Sequence, residues 1–188
     1  MTASGYRVRR AIYRVESRQE LRLRLGLIAA AALLASVLVE SGLGAVPGLF
    51  RFRPDLLLIS AVWWTVNSRG SGWAAIALAA GLLRDVFSAG PFGPGMVEMV
   101  ATCWVIFMVS RPLVRHRPLV EIVLAAFAAV LSQIVYYLLL EVFSHPPAFA
   151  AAWRTAIFPH FWQTAAAAPV WLWATGRMYS VFSGERRR

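Results

Sequence analysis

Lysine is missing from the sequence altogether, so all 19 basic residues are arginine. With abundant Ala and Gly, that usage fits a GC-rich coding sequence and points to no chemistry by itself. Cysteine is nearly missing. The single Cys103 lies in an apolar stretch, so no intrachain disulfide can form. One Cys and three scattered His supply no zinc-type ligand set. Walker, HExxH, GxSxG and CxxC patterns are all lacking. The run Gly90-Pro91-Phe92-Gly93-Pro94-Gly95 is no phosphate cradle, because its prolines remove N–H donors. No metal and no cofactor is expected. Acids are scarce, nine in all, which leaves a net charge of +10. A nucleic-acid footprint would need those arginines on one face of a soluble fold. They fall instead between apolar blocks, so nucleic acid is not expected as a partner.

What the chain has in plenty is apolar surface. Hydrophobic residues make up 59% and the mean hydropathy is +0.61, against roughly 45–50% apolar in an average soluble chain. A single soluble core of this size could not bury that much, whereas a bilayer solvates it. The expected class is an all-α, polytopic integral membrane protein of about six transmembrane helices. Six apolar blocks carry it: Leu25–Val46, Pro54–Val66, Gly72–Ser88, Met96–Ser110, Pro118–Phe143 and Ala156–Tyr179. About 20 residues are needed to cross ~30 Å of hydrocarbon. The first, fifth and sixth blocks reach that; the middle three fall short. The short ones either extend into their flanks or cross a thinned or protein-lined path. Residues 1–24 read as a basic cytoplasmic juxtamembrane segment, 25–180 as one membrane domain and 181–188 as a basic tail. A retained first span is expected rather than a cleaved signal peptide.

Polar joints separate the blocks. Asn67–Gly72 is a compact turn, Arg111–Pro118 closes the fourth helix and opens the fifth, and His145-Pro146-Pro147 stops the fifth. The stretch Ala89–Gly95 is expected to be a non-helical loop. With both termini in the cytoplasm, only Arg51, Arg53, Arg84 and Arg154 of the 19 basic residues fall on the outer side, as the positive-inside rule requires. Tyr6–Arg24 mixes Arg with Ile12, Val15, Leu21 and Leu23, which suits a helix drawn to anionic lipid, with docking to a cytoplasmic protein as the alternative. Pro169 predicts a kink in the last span.

In that topology Glu40, Asp55, Asp85, Glu98 and Glu141 gather near the outer leaflet, beside the outer arginines. Charges in a membrane are costly unless paired or hydrated, so a paired polar cluster is expected there. It either holds helix ends together or presents a docking surface; catalysis is the weakest reading, since no nucleophile or metal spacing accompanies the carboxylates. Further polar residues share helix faces: Gln133, Tyr137 and Glu141; His160, Gln163 and Thr164; Glu98 and Thr102. They are expected to hydrogen-bond between helices, with a small-molecule cavity as the alternative. Ala77 and Gly81 form a small-xxx-small pair that permits close helix approach. The tryptophans read as interface or packing aromatics.

Phe52-Arg53-Pro54-Asp55-Leu56-Leu57-Leu58 is followed by Trp63-Trp64, a polar turn, and Gly81-Leu82-Leu83-Arg84-Asp85-Val86-Phe87-Ser88-Ala89-Gly90-Pro91-Phe92-Gly93. This pattern resembles the rod shape-determining MreD family, most specifically over Phe52–Gly95. Arg84 departs from it, standing where the family is commonly apolar, and Pro94-Gly95 makes the loop stiffer. The resemblance implies a non-enzymatic part of the elongasome in the bacterial inner membrane. It implies binding to MreC, and work beside MreB, RodA and a class B penicillin-binding protein. It also implies a fold similar to the substrate-binding subunits of energy-coupling-factor vitamin transporters, which gives the alternative function. On the scaffold reading, Arg53, Asp55, Arg84, Asp85 and Phe92 are the expected partner-binding residues. Glu98, Thr102, Gln133, Tyr137, Glu141, His160 and Gln163 are then intramembrane packing residues.

Overall fold

A computed structural model describes residues 25–43, 53–68, 72–88, 92–111, 118–143, 153 and 157–183. Six helices run through them: α1 (Leu25–Leu43), α2 (Leu56–Asn67), α3 (Gly72–Phe87), α4 (Pro94–Ser110), α5 (Pro118–Phe143) and α6 (Phe158–Ser183). The readings made for Tyr6–Arg24, the 181–188 tail beyond residue 183, and the loop residues 69–71, 89–91, 112–117 and 144–152 lie outside the described residues.

The short helix α2 is the centre of the bundle. Every residue from Leu56 to Val66 is buried, and α2 packs against α3, α4, α5 and α6. It has no polar stripe because no side of it meets water or lipid. Twelve residues span only about 18 Å. That length suffices because neighbouring helices enclose α2, so the protein-lined path is the correct account of this block. Contact with α1 runs through Ser60, whose Oγ lies 2.8 Å from Ser36 Oγ. Trp171 Nε1 of α6 donates to the same Ser60 oxygen at 2.8 Å. Three helices thus meet on one hydroxyl in an interior where an unpaired polar group is costly.

Around this core the outward faces are apolar. Leu27, Leu34 and Leu38 on α1, Val123 and Leu138 on α5, and Val170 and Val181 on α6 are all exposed. In water such a surface would aggregate; against acyl chains it is solvated. Among the described helices, α1 and the Leu119–Val142 part of α5 are long and apolar enough to cross a membrane outright. Helix α6 runs continuously past Pro169.

Helices α3 and α4 form the tightest pair. A Cβ on Gly81 would fall on the Met96 Cα and within 2.8 Å of Gly95 O, so the two backbones touch there. At the far end Trp73 stacks on Phe107 with centroids 5.3 Å apart, and the Arg111 guanidinium lies 4.4 Å from the Phe107 ring centre. One boundary differs from expectation. Pro94 and Gly95 are helical, with Pro94 in the first turn and Gly93 before it at φ 117°. Proline suits that position because its φ is already helical and its missing N–H would have no partner. The left-handed conformation of Gly93 makes the turn.

Candidate functional site: a closed polar cluster at one end of the bundle

The end of a helix leaves backbone groups unsatisfied, and burial makes that expensive. At one end of this bundle the starts of α2, α4 and α6 meet the ends of α1 and α3. Side chains meet several of the orphan donors there. Asp55 caps its own helix, its Oδ1 accepting from Leu58 N at 2.8 Å. Glu40, near the end of α1, accepts from Leu57 N at 2.8 Å. The Asp55 backbone N–H donates to Thr164 Oγ1 at 3.1 Å, and Arg53 N–H donates to Gln163 Oε1 at 2.8 Å, which ties α6 to the start of α2.

Asp85 does the same for α4. Its two oxygens accept from Gly93 N at 3.0 Å, Gly95 N at 2.8 Å and Met96 N at 3.2 Å. A carboxylate at the positive end of a helix is favoured by both the hydrogen bonds and the dipole. Gly95 has no space for a Cβ because Asp85 Oδ1 sits there. The sequence Asp85…Gly93-Pro94-Gly95 is therefore one device, in which the end of α3 caps the start of α4.

Between these caps lies an ion triad. Arg84 Nη2 is 3.0 Å from Asp55 Oδ2, and Arg84 Nη1 is 2.8 Å from Glu98 Oε1. One guanidinium thus joins α2, α3 and α4, with the Tyr136 ring of α5 at 6.0 Å. Glu98 is wholly buried and Asp55 is 6% exposed. Removing one member of such a set leaves a buried charge, typically at a cost of about 3–5 kcal/mol. Glu98 Oε2, Thr102 Oγ1 and Ser132 Oγ are buried without a hydrogen-bond partner among the described residues.

The expected residues sort clearly. Asp55 and Arg84 pair directly. Asp85, next to Arg84 in sequence, turns to the start of α4 instead of joining them, where three backbone N–H groups donate to it, while the guanidinium already holds two carboxylates. Arg53 and Phe92 are exposed. Gln133 Nε2 lies 3.3 Å from His160 Nδ1, joining α5 to α6. Tyr137 is buried. Glu141 is exposed rather than packed between helices; two residues from the end of α5 its carboxylate reaches the surface. Glu40, expected in the outer polar cluster, is found there on Leu57 N, and Thr164, expected only on a packing face of the sixth helix, accepts from the Asp55 N–H. Glu40 had a signal: an acid in the last turn of a helix opposes that helix's dipole and needs a donor elsewhere.

Among the described residues no group of His, Cys, Asp and Glu is spaced to hold a metal ion. The comparison with known families decides the class: the family model described as rod shape-determining protein MreD matches residues 21–180. The chain belongs to the MreD family. Neither the curated proteins nor the solved structures yield a match. MreD proteins are non-enzymatic polytopic membrane proteins with a role in rod shape, and the family places this chain in the bacterial membrane. Both departures from the MreD pattern have a structural place here. Arg84 is the centre of the ion triad, and Pro94-Gly95 starts α4.

Proposed function

We propose that this MreD-family chain is a multi-pass scaffold of the elongasome in the inner membrane. It binds MreC and helps position the peptidoglycan synthesis machinery, beside MreB, RodA and a class B penicillin-binding protein. The Arg84 end is the extracytoplasmic docking end. One observation carries this: the buried charges are met inside the bundle, Arg84 by Asp55 and Glu98 and Asp85 by the backbone at the start of α4, while Arg53 and the apolar Phe92 are exposed at the same end. The buried set fixes the shape of the end; the exposed pair offers contact, with charge setting orientation and partner choice. Asp55, Arg84 and Asp85 then act on the partner by holding the surface in shape. The test is co-purification in detergent. Phe92→Ala with Arg53→Glu is expected to lower recovery of MreC while the chain keeps its expression and its elution as a single species. Undiminished MreC would remove the docking role.

A second reading, the substrate-binding subunit of a vitamin transporter, is favoured by a cleft of about 560 Å³ at this same end. Thermal stabilisation by a vitamin would support it.

A further inference from the structure

Helices α2, α3 and α4 are all short, and the bundle treats them differently. Neighbouring helices enclose α2. They do not enclose α3 and α4: Leu78, Leu82 and Val86 on α3 and Val97, Trp104 and Met108 on α4 are exposed. This hairpin therefore faces acyl chains. Its helices, of 16 and 17 residues, measure about 24 and 26 Å, short of the ~30 Å of a hydrocarbon core. Helices α5 and α6, of 26 residues each, measure about 39 Å. Two sides of one bundle thus differ in apolar height.

Polar groups mark where the hairpin's apolar surface stops. At one end Trp73 stacks on Phe107, and the Arg111 guanidinium lies 4.4 Å from the centre of the same ring. Phe107 is one turn before Arg111, so the cationic head is drawn back toward the middle of α4, the direction in which helical side chains lean. Aromatic rings beside a cation settle at headgroup level. In the sequence Ser68, Arg69, Gly70 and Ser71 precede α3 and add no apolar surface. At the other end Ser88 is exposed and lines the cleft together with Arg84. From Trp73 to Ser88 is about 22 Å of helix, and tilting only lowers the height that a helix spans.

We propose that the α3–α4 face holds a locally thinned bilayer, with compressed or shorter acyl chains beside it than beside α5 and α6. A short apolar face is matched to lipid by thinning, by flanking side chains that snorkel outward, or by burial against another copy. Arg111 does not snorkel outward, because its head lies over Phe107. The exposed face of Leu78, Leu82 and Trp104 is broad and apolar, so lipid covers it at little cost once the chains fit its height. Such thinning holds whether or not the Arg84 end docks a partner, so the two readings fail separately.

The test uses the full chain in vesicles of short-chain and long-chain phosphatidylcholine (myristoleoyl and erucoyl) in equal parts, with one or the other lipid brominated. Leu78→Cys on α3 and Val170→Cys on α6 each carry a fluorophore that bromine quenches. Both positions are exposed near the middle of their helices, and Cys103 is buried. At Leu78 the brominated short lipid is expected to quench roughly two to three times as strongly as the brominated long one. At Val170 the two should quench equally, or the long one more. Leu82→Cys replaces Leu78→Cys if that variant does not elute as a single species. Equal quenching by both lipids at the α3 label would overturn the proposal. So would the same short-lipid preference at both labels, which would make it a property of the whole chain. An α3 label that neither lipid quenches would also overturn it, because protein, not lipid, would then cover the face.

Discussion

Asp85 Oδ1 accepts the backbone N–H of Gly95 at 2.8 Å, so a carboxylate at the end of one helix caps the start of the next. Glu40 does the equivalent for α2 through Leu57 N. In both cases an acid sits in the last turn of its own helix, where the dipole repels it, and is held by the N-terminus of the following helix, where the dipole attracts it. The descending and ascending helices of each hairpin are thereby locked in register at one end of the bundle.

This predicts the effect of removing the Asp85 carboxylate. Asp85→Ala leaves three backbone donors without their acceptor. Each buried orphan costs roughly 1–3 kcal/mol. The variant should lose several degrees of thermal stability in detergent, followed by the loss of soluble single-species protein after heating. Asp85→Asn, which keeps acceptor atoms but not charge, should fall between the two. An unchanged melting temperature for Asp85→Ala would show that the loop does not depend on this cap.

How much of this was legible in the residues alone follows from what each signal depends on. Apolar blocks and arginine placement depend on the solvent, so helix number and the clustering of acids at one end could be read directly. The pairing of Arg53-Pro54-Asp55 with Arg84-Asp85 was legible as proximity. Its division was not: nothing in the sequence says that Asp55 takes the guanidinium while Asp85 takes the backbone of Gly93, Gly95 and Met96. That choice depends on how far α3 runs before α4 turns back, which Gly93 and the contact at Gly81 determine. The central position of α2 was hidden for a similar reason. A short apolar block reads the same whether lipid or protein surrounds it, and only the burial of its full circumference tells them apart.

The contact at Gly81 gives a second prediction. A methyl group there would collide with the main chain of Met96 and Gly95, which cannot rotate away as a side chain can. Gly81→Ala should cost on the order of 1–3 kcal/mol through overpacking. Gly26 in α1 has nothing within 4 Å of an added Cβ. Gly26→Ala should be neutral or stabilising by up to about 1 kcal/mol, since alanine is the better helix former. Thermal melts of the two variants side by side test this. Equal stability loss in both would indicate that α3 and α4 are not in backbone contact.

The ion triad makes a third. Arg84→Met leaves Asp55 and Glu98 buried and facing each other without their cation. A loss of about 3–5 kcal/mol is expected, seen as poor expression or a much lower melting temperature. Neutralising both acids in the same chain, Asp55→Asn with Glu98→Gln, should recover most of that loss, because the cost lies in the unpaired charges. Failure of the triple variant to recover would place the role of Arg84 in packing rather than in charge.

The orientation of the bundle can be tested with single cysteines, because Cys103 is buried and gives little background. Phe92 and Arg111 are both exposed, at the two ends of α4. If the Arg84 end faces outward, the side the arginine distribution favours, Phe92→Cys should react with a membrane-impermeant maleimide on intact spheroplasts. Arg111→Cys should react only after the membrane is opened. Phe92 adjoins Gly93, whose N–H the Asp85 carboxylate accepts, so its side of the membrane fixes that of the Arg84 end. Labelling in the reverse order would put the Arg84 end in the cytoplasm, out of reach of any extracytoplasmic segment, and the docking proposal would fail together with the topology.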